Sequence, residues 1–203
     1  MRVAERVACS DFPCGSVDHA RHEVPGEPVD PKRVRLILVA EAPPAEAADG
    51  LYAPGLPFHL ETTLDAFRAA GANAASRRDL AALGVYLTTA VKCAKVGYAV
   101  ERPTVEACSL LLEAEIGLFP GARVVMLMGD VAIGAFNSIA RRRTGKRLIP
   151  SGPTWKVRQG EYWFEGKRVY PSYLQTGRSY LIERSKREMI AADLKAALAL
   201  LEE

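Results

Sequence analysis

"RVRLILVAEAPP", residues 33–44, decides the fold. Leu36 to Ala40 are apolar without a break, so this strand has no polar face to give to water. Strands buried on both sides belong to parallel sheets covered by helices on both faces. The run then meets Glu41, Ala42 and a Pro43–Pro44 pair, a sharp loop at the strand's carboxyl end. Two more runs repeat the pattern: "GVYLTTAVKC" (84–93) and "ARVVMLMGD" (122–130). Between and after them lie segments with apolar residues at helical spacing: 58–71, stopped by Gly71; 104–121, stopped by Pro120 and Gly121; 131–143; and 183–203. The cationic end of the third of these suits a helix C-terminus. Residues 154–174 read as a hairpin leading into a last strand. The alternation predicts an α/β, three-layer αβα sandwich around a central, mainly parallel four-stranded sheet. Ligands of such folds bind at the carboxyl ends of the strands. "EAPP", "KCAK", "MGD" and "YPSY" all fall there.

The chain has 203 residues, 49% hydrophobic and 25% charged, enough for one sizeable core. Residues 1–203 are therefore expected to form one domain, with a cysteine-bearing N-terminal loop over 1–33. No apolar run reaches membrane-spanning length. The first residues lack the apolar stretch of a secretion signal. These features predict a cytoplasmic protein, nucleoid-associated if it works on DNA. The net charge of +3 is compatible with a polyanionic partner and too small to demand one.

Four cysteines remain to be placed: Cys9 and Cys14, then Cys93 and Cys108. A disulfide framework does not suit a cytosolic chain. Cys9 and Cys14 stand among Ser, Asp, Pro and Gly rather than among core residues. Structural zinc sites usually show two tight cysteine pairs, whereas 14 residues separate Cys93 from Cys108. Thiolates gathered from separate elements also suit an iron–sulfur cluster. Spacing alone leaves zinc, iron–sulfur and plain burial open.

The order of short motifs is more specific. An early cysteine pair is followed by "ILVAEAPP", "GLPF" (55–58), "TAVKC" (89–93), a cysteine on a helix leading into "GARVVMLMGDVA", and "YPSYL" (170–174). This succession resembles the uracil-DNA glycosylase superfamily over nearly the whole chain, and most closely the iron–sulfur (family 4) uracil-DNA glycosylases. The resemblance implies a hydrolase of base excision repair that flips a damaged base out of DNA and cleaves its N-glycosidic bond. It implies that Cys9, Cys14, Cys93 and Cys108 ligate a 4Fe–4S cluster of structural role. Glu41 corresponds to the family's first-motif glutamate, and Phe58 to its base-stacking phenylalanine. The Ala42 amide and His59 fall within base-binding motifs. Lys92 and Lys95 beside the cluster, and Ser172, Tyr173, Leu174 and Arg178 in the last loop, become candidates for DNA contact. Tyr173 and Leu174 would wedge into the space left by the flipped base.

Two departures stand out. Thr89 occupies the position of the asparagine that reads the uracil edge, and Tyr170 that of a catalytic histidine. Asparagine offers a donor and an acceptor in one plane; threonine offers one rotatable hydroxyl. Tyrosine donates but is never cationic. Both changes predict altered or reduced uracil specificity. Three functions follow: a glycosylase of this superfamily with an altered or broadened base preference, a catalytically silent nucleic-acid-binding iron–sulfur relative, or an iron–sulfur protein unrelated to DNA. The basic stretches 141–147 and 174–180 favour the first two. A monomer is expected.

Overall fold

The computed structural model describes residues 1–97 and 99–202. Its strands are β1 (Val17–His22), β2 (Leu36–Ala40), β3 (Val85–Thr89), β4 (Cys93–Lys95), β5 (Val124–Met128), β6 (Tyr162–Phe164) and β7 (Lys167–Ser172). Its α-helices are α1 (Phe58–Ala69), α2 (Arg77–Ala82), α3 (Arg102–Gly117), α4 (Asp130–Thr144), α5 (Thr154–Val157), α6 (Arg178–Ile182) and α7 (Arg184–Glu202).

β2, β3 and β5 are buried at every position, as their unbroken apolar runs require. They stand in a sheet ordered β3-β2-β5-β7-β6. The neighbours from β3 to β7 pair in parallel; β6 pairs antiparallel with β7. Side chains alternate between two cores. Ile37, Val39, Val125 and Leu127 pack on one face with Phe119 and Phe136 from around α3 and α4. Leu36, Leu38, Val124 and Met126 pack on the other with Leu64 and Phe67 of α1 and Leu194 of α7. The three-layer α/β architecture expected above is therefore present.

The sheet has five strands rather than the expected four. The extra one is β6, the first arm of the 154–174 hairpin. Glu165 and Gly166 both have positive φ, 48° and 76°, and such a two-residue turn folds β6 straight back on β7. A second difference lies in 84–93, which reads as one strand. The chain leaves the sheet after Thr89, and Cys93–Lys95 pairs instead with β1 in a separate antiparallel ribbon. The N-terminal region is thus more than a loop. β1 escapes the sequence pattern because it is "VDHARH", with Val17 its one fully buried position. No helix among the described residues is long and apolar enough to cross a membrane.

Candidate active site

A cavity of about 710 Å³ opens at the carboxyl edge of the parallel strands. Glu41 and Ala42 enter it from the end of β2, Lys95 from β4, Gly129 and Asp130 from the β5–α4 junction, His59 from α1. Tyr173, Leu174 and Arg178 line it from the segment after β7. The 41–44 loop is tied from outside. Lys95 N–H donates to the Pro43 carbonyl (3.1 Å), and the Arg21 guanidinium donates to that of Pro44 (2.9 Å).

Glu41 is 15% exposed, and its Oε2 receives the Lys95 ammonium at 2.7 Å. Gly129 presses on the same carboxylate from the other side. A Cβ at position 129 would lie 2.8 Å from Glu41 Oε1, and Gly129 has φ of +95°. Glycine is needed there on both counts. His59 stands between this cavity and a smaller one of about 360 Å³, which Phe58 and Asp49 also line. Burial pulls the His59 imidazole below its ordinary pKa; Asp49 opposes this and Lys95 adds to it. His59 is accordingly a neutral hydrogen-bonding group near neutral pH.

Several sequence expectations need correction. Lys92 is fully enclosed and cannot meet a phosphate. Its ammonium donates to Glu115 Oε2 (2.5 Å), Thr88 Oγ1 (2.8 Å) and the Thr89 carbonyl (2.5 Å). Glu115 also accepts from the Tyr86 hydroxyl (2.6 Å) and the Thr88 hydroxyl. The signal for this pair is a lysine in an apolar run and a glutamate on the apolar stripe of α3. Ser172 is likewise buried, donating to Asp193 Oδ2 at 2.6 Å, and offers nothing to DNA. Arg158 completes that cluster with Asp193 (2.5 Å). Thr89 is 7% exposed and lines neither cavity. Tyr170 lies mid-strand opposite Met126, its ring 4.4 Å from the Arg168 guanidinium, and also lines neither. Lys95 reaches the cavity but is committed to Glu41. Thr154 and Gly177 line the cavity and escape the sequence reading, and Gly129 is foreshadowed only as part of "MGD"; a positive φ or a packing distance marks the two glycines, and sequence shows neither.

None of the four cysteines is in a disulfide. Burial, then the charges of Cys108, Cys14 and Cys9, pushes Cys93 up to about 12. Burial also raises Cys108 and Cys14. Among the described residues, no three His, Cys, Asp or Glu side chains converge into a site for a metal ion. Beside Cys14, Phe12 packs on His19 and His22, and His19 Nδ1 and His22 Nε2 are buried without partners.

Residues 28–196 match the sequence model of the uracil DNA glycosylase superfamily. The chain is also 33% identical over 103 residues to a type-5 uracil-DNA glycosylase of Thermus thermophilus. That alignment covers 49% of this chain and 46% of the relative, so the chain spans about half the length of the curated protein it matches. Cys93 and Cys108 fall inside the superfamily match; Cys9 and Cys14 precede it.

Proposed function

The chain belongs to the uracil DNA glycosylase superfamily, and from that premise we propose that it is a monomeric, single-domain DNA N-glycosylase acting on a deaminated base, with reduced preference for uracil. The observation that carries this reading is Glu41. It is a carboxylate held at the floor of a cavity large enough for a nucleobase, oriented by Lys95 on one side and by a glycine on the other. Base removal leaves an oxocarbenium-like sugar, and a fixed carboxylate can stabilise that charge or align the attacking water. Neutral His59 and the Ala42 backbone at the cavity wall suit the edge of a flipped base. Phe58 borders the adjoining cavity, where a ring could stack. Arg178 at the rim suits a phosphate. Neither Thr89 nor Tyr170 supports uracil reading, since neither lines the cavity and neither replaces a planar donor–acceptor pair.

The proposal extends to the cofactor. Cys9, Cys14, Cys93 and Cys108 would hold a 4Fe–4S cluster. One zinc ion would draw the sulfurs to within about 2.3 Å of a single point. The cysteines come from separate elements, the N-terminal region, β4 and α3, a gathering that suits a cluster, and the resemblance of the motif order to the iron–sulfur uracil-DNA glycosylases favours the cluster over zinc. When bound, the group supplies a cross-link among the N-terminal region, β4 and α3, and no chemistry at the base.

One feature favours a second reading, a catalytically silent DNA-binding relative: the Glu41 carboxylate is already engaged by Lys95. A strand-cleavage assay separates the two. Oligonucleotides bearing uracil, hypoxanthine or xanthine are incubated with iron-replete protein and then alkali. Breaks at hypoxanthine or xanthine exceeding those at uracil are expected. Intact strands in all three cases would leave the silent reading.

A further inference from the structure

A third cavity, about 290 Å³, lies between α3 and α4 and shares Val100, Asp130 and Val131 with the main one. The two cavities adjoin at those three residues. Three arginines line it from different segments: Arg102 from the start of α3, Arg141 from the end of α4, and Arg147 from the loop that follows.

Their commitments differ. Arg142 is spent on Glu113 (2.8 Å), and Arg143 bridges Glu113 and Glu165. Among the described residues no ion pair or hydrogen bond engages the guanidinium of Arg141, the one of the three consecutive arginines that lines the groove. Among the described residues the Arg147 guanidinium makes one hydrogen bond, to the neutral hydroxyl of Ser151. The acids present are accounted for. Glu106 holds Arg102 at 2.8 Å, and Asp130 sits at the N-terminus of α4, accepting from Thr154 at 3.4 Å. Two uncommitted guanidinium groups remain. Their placement is fixed: buried Asn137 donates to the Ile149 carbonyl and accepts from Leu148 and Ile149 N–H, pinning the chain just after Arg147 against α4.

We infer that this groove seats the phosphodiester backbone of the strand flanking the target nucleotide, with Arg141 and Arg147 as its distal phosphate contacts. The inference rests on the DNA reading above. From Asp130 to Arg141 the helix advances about 16 Å, at about 1.5 Å per residue. A duplex strand advances about 3.4 Å per nucleotide, so the arginines would meet phosphates about five nucleotides from the cavity.

The test uses two duplexes with a central tetrahydrofuran abasic analogue, which no glycosylase consumes. One carries ten flanking base pairs on each side; the other carries two and is closed at both ends by uncharged hexaethylene glycol linkers, which keep it paired. Affinities are measured across a salt series for the parent and for Arg141→Ala combined with Arg147→Ala. The long duplex should lose close to two units of salt slope, at about 0.9 per phosphate, and the short duplex none. An unchanged slope on the long duplex, or an equal loss on both, overturns the groove. Arg141→Gln with Arg147→Gln keeps the stems and must reproduce the result if the alanines disturb the loop. A parent that binds neither duplex sinks the glycosylase reading and the groove together; a parent that binds, with the variant's slope intact, sinks the groove alone.

Discussion

Lys92 and Glu115 are both 0% exposed, and each answers the other's charge. Breaking one side of such a pair costs about 3–5 kcal/mol, because the survivor stays buried without compensation. Lys92→Met is therefore expected to lower the melting temperature by roughly 6–20 °C, at about 2–4 °C per kcal/mol for a chain of this size. Lys92→Met combined with Glu115→Met should recover part of the loss. Circular dichroism melts decide it; a single variant melting with the parent removes the pair from the stability account. His59 gives a pH prediction. Its folded pKa is lowered, so the folded state binds fewer protons than the unfolded chain, and stability falls as pH drops below about 6.5. Between pH 7.5 and 5 the parent should lose more melting temperature than His59→Gln; parallel losses would contradict the buried neutral imidazole. Single residues are the least legible scale. Glu41 and His59 can be found because they follow or begin an element whose pattern is strong. Lys92 misleads because a lysine beside a cysteine at a strand end looks solvated until Glu115, 23 residues away, is seen beneath it.

The unbroken apolar runs of β2, β3 and β5 announce themselves, as do α1, α3, α4 and α7 through their periodicity. β1 and β4 do not, because a polar or three-residue edge strand carries no period, and β6 is legible only as an arm of the 154–174 hairpin. Yet β4 matters out of proportion to its length. Cys93 begins it and Lys95, the partner of Glu41, ends it. With the proposed cluster in place, anaerobically purified protein is expected to be brown, and Cys93→Ala or Cys108→Ala should abolish that absorbance and lower the melting temperature, since β4 and α3 would lose the tie the cluster supplies. Elemental analysis finding zinc without iron in the parent would refute the cluster. The β5–α4 junction gives a sharper case. Gly129→Ala places a methyl against Glu41 at a positive φ, and misplacing a catalytic group by about 1 Å can cost 10²-fold. Excision should fall by about that factor while DNA affinity stays within a few-fold. Full activity in the variant would show that Glu41 is free to move.

For the molecule as a whole, the order of elements brings the carboxyl ends of β2, β3, β5 and β7 to one edge, and the cavity opens there. That edge is legible from the alternation of strand and helix alone. Which loops converge on it, and which cations remain unpaired, depends on side-chain reach and is not. Arg178 is exposed at the rim of the cavity. Arg178→Ala should weaken DNA binding and reduce the salt slope by about one unit; an unaltered slope would take it out of the interface. The enclosure of Lys92 also has a use in chemical footprinting. An amine-acylating reagent needs a solvated, deprotonated amine, and this one is out of reach while the core stands. Exposed lysines such as Lys156 should acquire label in native protein within the first exposure. Lys92 should acquire it only as the α3-facing core opens, so its peptide in a mass spectrum would time unfolding from within, one molecule at a time.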